Sequence, residues 1–190
     1  IARNIILARQ IGWKIHMQHV SVKESVELLR NARAKGIPVT GEATPHHLTL
    51  TDECIKKYDT NYKMNPPLRS EEDRLALIAG VADGTITAIA TDHAPHTMTA
   101  KMVEFDYAPF GIIGLETALP VSYGELVAKG VISLPRLVEL FTAGPADILG
   151  FDDYSLAPGN PADLTVFDPE AKYTVDKEQF KSNSRNTPFD

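Results

Sequence analysis

The fold is decided by residues 85–97, which read TITAIATDHAPHT. Residues 85–90 are apolar or β-branched, a composition typical of a short buried strand. Asp92, His93 and His96 follow directly after this run. In α/β sheets and barrels, functional side chains lie where parallel strands end. The stretch therefore predicts a strand whose carboxyl end presents a metal ligand and a proton carrier.

The rest of the chain alternates between helix and strand patterns. A helix-spaced segment after Ser21 ends at Gly36, and we expect Ser21 and Glu24 to form a capping box at its start. Helices of this length between strands imply parallel pairing with right-handed crossovers. The predicted helices lie at about 1–11, 22–35, 70–83, 115–129 and 134–142, and the predicted strands at 13–20, 37–44 and 85–91.

Composition limits the classes of protein that need to be considered. The 190 residues are 43% hydrophobic and 23% charged, as in an ordinary globular protein. A formal charge of −6 argues against a nucleic-acid or anionic-membrane partner. No apolar run approaches the roughly 18 residues of a transmembrane helix. The single cysteine, Cys54, excludes an internal disulfide and fits a reducing compartment, so we expect a cytoplasmic protein.

A change in the residue pattern along the chain predicts two structural units. A turn cluster at 157–161 precedes residues 162–168, which alternate like a strand. We therefore place a boundary near residue 153, with an α/β unit at 1–153 and a β-rich appendage at 154–190. The chain opens within a helical pattern and closes within a loop pattern, so we expect it to be part of a longer polypeptide.

His19 is the second candidate metal ligand. It stands at the carboxyl end of the first predicted strand, and parallel pairing would bring it to the same rim as Asp92. Imidazole and carboxylate donors suit Zn²⁺. The competing interpretation makes His19 a hydrogen-bonded core residue and Asp92 a turn or capping residue. His16 has the opposite strand parity, and we expect it to point toward the helices or solvent.

Other polar residues allow weaker predictions. His46 and His47 are adjacent and cannot easily chelate from one strand face, so we expect a packing or supporting role. Asn65 precedes two prolines that fix an extended backbone, which suits either ligand binding or a plain turn. The Phe110-Gly111 pair permits close backbone approach. Catalytic zinc sites use about three protein ligands, so His19 and Asp92 alone fall short.

Several motifs follow one another along nearly the whole chain. They are HVS at 19–21, EATPHHL at 42–48, KMNPPLR at 63–69, TDHAPHT at 91–97, PFGIIGLET at 109–117 and NPADL at 160–164. In this order they resemble the C-terminal half of the class I bacterial dihydroorotase family, within the amidohydrolase superfamily of metal-dependent (β/α)8 barrels. The combination of NPPLR and DHAPHT is specific to that family, whereas the ADL strand recurs across the superfamily.

The resemblance implies a partial (β/α)8 barrel, comprising about strands six to eight with their helices, and part of a small β-rich domain. It also implies one or two Zn²⁺ ions per complete active site. The implied roles are zinc ligation by His19 and Asp92, acid–base catalysis by Asp92, and substrate binding by Asn65, His96, Phe110 and Gly111.

The implied reaction interconverts N-carbamoyl-L-aspartate and L-dihydroorotate in pyrimidine biosynthesis. The implied partners are this small-molecule substrate, a second copy of the chain or aspartate transcarbamoylase. The family's His-x-His, bridging carboxylate and fifth-strand histidine have no counterpart here, so we expect the chain alone to be inactive. Two alternatives remain open: a hydantoinase or allantoinase, and a non-catalytic dihydroorotase-like scaffold of aspartate transcarbamoylase.

Overall fold

The computed structural model describes residues 1–152, 155–172 and 174–190. Strands β1 (Ile15–Met17), β2 (Val39–Ala43) and β3 (Ala88–Ile89) form a parallel sheet in the order β1-β2-β3. This confirms the predicted parallel pairing. The strands are shorter than the predicted ranges at 13–20, 37–44 and 85–91.

Helices occupy most of the remaining predicted positions. No helix in the described ranges is long and apolar enough to cross a lipid bilayer. The helices are α1 (Ala2–Ile11), α2 (Lys23–Ala34), α3 (Pro45–Thr49), α4 (Glu71–Ala82), α5 (Met98–Lys101), α6 (Ala118–Ser122) with a π-helical continuation at Tyr123–Val127, α7 (Leu134–Phe141) and α8 (Ala143–Leu149). Short 3₁₀ turns lie at Asp52–Cys54, Thr60–Tyr62 and Lys177–Gln179.

The sheet has an apolar face and a polar face. Helices α2 and α4 pack side by side over the apolar face. A Cβ atom at Gly41 of β2 would lie 2.7 Å from Leu29 Cδ1 of α2, so glycine is what allows this close approach. Side chains alternate along a strand, and His16, Thr40 and Glu42 accordingly share the opposite face, where they are joined by hydrogen bonds. The polar face carries the candidate site.

Helices α2 and α4 are joined at their N-terminal ends. Ser70 caps α4 by accepting from Asp73 N. The predicted Ser21 cap of α2 is wrong, because its N-cap is Val22 and makes no side-chain hydrogen bond. Instead, Lys23 N donates to Asp73 Oδ1 at 2.9 Å. The first turn of α4 therefore satisfies a free amide of α2 and fixes the two helices relative to one another.

The appendage differs from the prediction. The predicted strand at 162–168 is wrong, since residues 155–172 and 174–190 form no strand. Val166 is 94% exposed, and without a neighbouring strand its alternating pattern has no ladder partners. The predicted boundary at residue 153 lies outside the described residues. The last described segment returns to the carboxyl rim, where Ile113 N donates to Asn186 O at 3.0 Å.

Candidate metal centre and active site

His19 and Asp92 meet at the carboxyl rim of the sheet. His19 Nε2 lies 3.5 Å from Asp92 Oδ1. Backbone hydrogen bonds from Val20 N to Glu42 O and from Ala90 N to Ala43 O continue the pairing with β2 on both sides. The close approach that the sequence predicted for a shared cation is present, while metal ligation by the two residues remains a prediction.

The two candidate ligands adopt an unusual backbone conformation. His19 has φ 51° and Asp92 has φ 50°, in the left-handed region. Among the described non-glycine residues, only Lys57 and Tyr58 share a positive φ. Such a conformation costs an L-residue about 1–2 kcal/mol and persists where the surroundings over-determine it, often at functional sites. Here it turns the two side chains toward each other at the end of β2.

Glu42 is the central residue of this cluster, and our sequence reasoning gave it no role. Its Oε2 lies 2.9 Å from His16 Nε2 and its Oε1 lies 2.9 Å from His19 Nδ1. The second contact is close but bent away from hydrogen-bond geometry. Burial opposes ionisation of Glu42, yet the two imidazoles outweigh it and lower the pKa of the carboxyl to about 2. Glu42 is therefore an anion that holds two histidines.

The position of His16 corrects a prediction. Strand parity placed it opposite His19, facing helices or solvent. In the structure both imidazoles contact the same carboxylate, and His16 Nδ1 also lies 2.8 Å from Thr40 Oγ1. Parity failed because the left-handed φ of His19 lies outside the extended strand and rotates its side chain onto the polar face.

The donors fit a divalent cation. Two ligand atoms, each about 2.1 Å from a tetrahedral zinc, are roughly 3.4 Å apart, close to the 3.5 Å between His19 Nε2 and Asp92 Oδ1. Glu42 holds His19 through Nδ1 and leaves Nε2 free, the arrangement that orients histidine ligands in metalloproteins. Within the described part of the chain, no group of three or more His, Cys, Asp or Glu side chains could hold a metal ion. The two donors are therefore a fitting but partial ligand set.

The structure brings His96 and Phe110 together. His96 Nε2 lies 2.9 Å from Phe110 O, and Ala94 N donates to Ile112 O at 2.8 Å, so the two loops run side by side. Gly111 has φ 104°, and a Cβ atom there would lie 2.5 Å from Ala94 Cβ. Glycine is therefore required for this close packing. His93 makes a local contact, accepting from Gly114 N at 3.1 Å.

Asn65 lies on the irregular loop before α4. Its side chain is exposed and makes no hydrogen bond to the other candidate residues among the described parts of the chain. The loop itself is attached to the Phe110 segment, because Gly111 N donates to Lys63 O at 2.9 Å. Asn65 is thus linked to the Phe110 segment through the backbone of its loop, and among the described residues its side chain makes no hydrogen bond to His19 or Asp92.

Two lysines fix the Phe110 loop against the rest of the rim. Lys101 is 6% exposed, and its Nζ donates to Thr60 O and Pro109 O, each at 2.9 Å. Burial lowers the pKa of this ammonium to about 8. Lys63 Nζ donates to Phe105 O and lies 4.8 Å from the Phe110 ring centroid. These contacts hold the Phe110 loop through backbone carbonyl groups and an aromatic ring.

His47 also supports this region. Its Nδ1 lies 2.7 Å from Thr44 Oγ1 and its Nε2 lies 3.0 Å from Pro66 O, so it anchors the loop that carries Asn65. Burial lowers the pKa of its imidazole to about 4, although the Pro66 carbonyl favours the proton. Burial also lowers the pKa of His46 well below its usual range. The predicted supporting role of this pair agrees with these contacts.

The buried imidazole of His47 predicts a pH-dependent stability. An unfolded His47 titrates near its ordinary pKa of 6.5, whereas the folded one titrates at about 4. Between these values only the unfolded chain binds the proton, so stability is complete above pH 6.5 and falls toward pH 4. From pH 7.5 to 5 the loss attributable to His47 is roughly 2 kcal/mol. Urea unfolding measures the free energy of unfolding of the full-length protein and of its His47→Gln variant at each pH. This free energy should fall less steeply toward low pH in the variant. Equal pH dependence in the two proteins would contradict a contribution from His47.

The site and fold identify the class of protein. The model of the amidohydrolase family matches residues 4–188, and the chain belongs to that family. Two solved structures superpose with a TM-score of 0.92 over 99% of this chain and 43% of theirs: dihydropyrimidinase from Brevibacillus agri at 28% identity and L-hydantoinase from Arthrobacter aurescens at 33%. The fold is therefore that of the amidohydrolases, within the TIM-barrel superfamily.

More similar sequences are found among dihydroorotases. The chain is 53% identical over 189 residues to the enzyme from Caldanaerobacter subterraneus and 51% identical to that from Pelotomaculum thermopropionicum. A third dihydroorotase, from Bacillus caldolyticus, is 53% identical. In each case the match covers 100% of this chain and 44% of the relative. The chain thus spans less than half the length of these curated relatives.

Proposed function

We propose that this chain forms the C-terminal part of a dihydroorotase. The observation that carries the proposal is identity of 51–53% across the whole chain to curated dihydroorotases. On this proposal β1, β2 and β3 are the sixth, seventh and eighth strands of a (β/α)8 barrel. Residues 1–153 belong to that barrel and 154–190 to part of a small domain. The described sheet leaves β1 and β3 as edges, which suits continuation by further strands.

The proposed ligands are His19 and Asp92, with one or two Zn²⁺ per complete site. Support comes from the 3.5 Å separation of their donor atoms and from the contact of Glu42 with the far nitrogen of His19. A bound zinc ion supplies Lewis-acid polarisation of a carbonyl group and lowers the pKa of water toward about 7. The remaining ligands would come from outside this chain, since catalytic zinc sites use about three protein ligands.

The proposed substrates are N-carbamoyl-L-aspartate and L-dihydroorotate. In the hydrolytic direction, the Asp92 carboxylate accepts the proton of the attacking water and returns it to the departing amide nitrogen. His96 and Asn65 bind the substrate through their side chains, and Phe110 and Gly111 bind it through their backbone. The carboxyl rim suits these roles because it holds Asp92 and the His96–Phe110 pair on neighbouring loops. A cytoplasmic location belongs to the same proposal and is supported by the single cysteine.

A second candidate is a hydantoinase or dihydropyrimidinase. It is favoured by the TM-score of 0.92 to two enzymes of that kind, but their identity is 28% and 33%, well below that of the dihydroorotases. A third candidate, a non-catalytic scaffold for aspartate transcarbamoylase, is disfavoured by the His19–Asp92 pair, which a protein without chemistry does not need. The proposed protein partners are a second copy of the chain or aspartate transcarbamoylase.

The test uses the full-length polypeptide that contains this chain. We expect the zinc-loaded protein to turn over dihydroorotate in preference to hydantoin and allantoin. A preference for hydantoin would favour the second candidate. Absence of all three activities with zinc bound, together with copurification of aspartate transcarbamoylase, would favour the scaffold and defeat the main proposal.

Residues 1–190 produced alone should self-associate and lack activity. An open edge at β1 and apolar side chains on and after α1 remain uncovered, including Ile11 at 60% exposed and Trp13 at 74%. We expect light scattering after size-exclusion chromatography to find oligomers or aggregates. Coexpression with the complementary part of the full-length protein should restore a defined species with activity. A monodisperse monomer with a sharp melting transition would contradict this prediction.

A further inference from the structure

The C-terminal segment contains a buried polar residue that the proposed chemistry does not use. Asn186 is 4% exposed and Thr187 is 2% exposed, whereas Leu156 and Val166, earlier in the same appendage, are 87% and 94% exposed. Phe189 packs against the small apolar cluster that includes Ile112. The earlier part of the appendage is therefore exposed, whereas its final described segment is buried against the carboxyl rim of the sheet.

Asn186 uses its side chain to join two loops. Its Nδ2 donates to Ala94 O at 2.9 Å and to Gly111 O at 3.2 Å. Its Oδ1 accepts from His96 N at 3.1 Å. Its backbone carbonyl also accepts from Ile113 N at 3.0 Å. Both amide hydrogens and the amide oxygen are thus engaged, and their partners are backbone groups.

The partners of Asn186 are the proposed substrate-binding segments. Residues 94–96 carry His96, and residues 110–113 carry the Phe110-Gly111 backbone. These segments touch each other at Gly111, where no Cβ atom fits beside Ala94. Asn186 therefore bridges them at their closest point. Because its bonds end on backbone atoms, its effect on a bound molecule is exerted through the position of these two loops.

We propose that Asn186 is a positioning residue that fixes residues 94–96 and 110–113 as a substrate-binding wall. This makes the C-terminal segment part of the active site, and it rests on the proposed function. An amide is required because two of its hydrogen bonds are donated to carbonyl oxygens. A carboxylate of the same shape would place negative charge against the carbonyl oxygens of Ala94 and Gly111, so the wall would open.

The test compares Asn186→Asp and Asn186→Ala with the unsubstituted full-length protein loaded with zinc. We expect the KM for dihydroorotate to rise about tenfold or more in both variants, with kcat and zinc content nearly unchanged. Amide hydrogen exchange at His96 and within residues 110–113 should become faster. Asn160→Asp is the matched control: the Asn160 side chain donates to the exposed Ser155, far from the two loops in sequence, and the substitution should change none of these quantities.

The outcomes separate this inference from the proposed function. If the unsubstituted protein fails to turn over dihydroorotate, the proposed function fails, while hydrogen exchange still decides whether Asn186 holds the loops. Unchanged KM and unchanged exchange in Asn186→Ala would overturn the inference. A parallel fall in melting temperature, kcat and zinc content would also overturn it, because that pattern indicates only a structural role. If Asn186→Asp does not fold, Asn186→Ala provides the comparison.

Discussion

Replacing Asp92 with asparagine should lower the kcat of the full-length enzyme for dihydroorotate by about a thousandfold or more. Asparagine keeps the shape of the side chain and an oxygen that can face a cation. It cannot accept a proton from water and pass it to an amide nitrogen. The proximity of Asp92 Oδ1 to His19 Nε2, at 3.5 Å, places this lost function at the proposed ligand pair. Steady-state kinetics with measured zinc content tests the prediction.

Asp52→Asn is the matched control for this experiment. Asp52 is exposed in the first 3₁₀ turn, and the same chemical change there should leave kcat and zinc content unaltered. We expect Asp92→Asn to remain folded, because Asp92 lies at the rim with a side chain that is 30% exposed. Activity of the variant within tenfold of the unsubstituted enzyme would remove Asp92 from the proton transfer.

The hydrophobic periodicity of the sequence and the order of its helices and strands were enough to predict the parallel sheet that carries the site. The apolar spacing of α2 and α4 and the β-branched run before Asp92 predicted a parallel sheet, which is observed. Parallel strands end at one rim, so His19 and Asp92 could be placed together although 73 positions separate them (92 − 19 = 73). This inference needed only the order of elements, because topology decides which ends of the strands are neighbours.

Side-chain direction at the rim could not be read from strand parity. The alternation of His16 and His19 holds only while the backbone is extended, and His19 adopts φ 51°. Histidine, asparagine and aspartate are enriched in left-handed conformations, but most such residues still adopt ordinary ones. The tertiary contacts of His19 with Glu42 and Asp92 select this conformation, and they involve residues far away in sequence.

Two further features depended on partners that the local pattern does not reveal. Residues 162–168 alternate like a strand, but a strand also needs a neighbour for its backbone groups. Glu42 carried a usable signal, since a charged residue alternates with the buried Gly41 and Ala43 in β2. A buried carboxylate requires partners. Asking which groups could satisfy it would have led to His16, within the neighbouring strand β1, and to His19, just after that strand ends.

Glu42→Gln should weaken zinc binding by about 10- to 100-fold in the full-length protein, and activity should fall with it at limiting metal. The carboxylate presents one oxygen to each imidazole, whereas a glutamine side chain presents an oxygen to one and an amide donor to the other. An imidazole that faces the donor must offer a lone pair at that nitrogen. If this happens at His19 Nδ1, the proton moves to Nε2, the nitrogen that would bind zinc. In that orientation the substitution stabilises the tautomer of His19 whose Nε2 cannot bind zinc.

Glu27→Gln makes the same chemical change on the exposed side of α2 and should leave zinc affinity unaltered. Competition titration with a chromophoric chelator measures the affinity directly, and excess zinc should restore much of the activity of Glu42→Gln. Restoration would show that the carboxylate acts through the metal ligand, since loss of the proton carrier Asp92 cannot be recovered by mass action. Equal zinc affinity in Glu42→Gln and the unsubstituted protein would mean that Glu42 only balances the charge of two histidines in the fold.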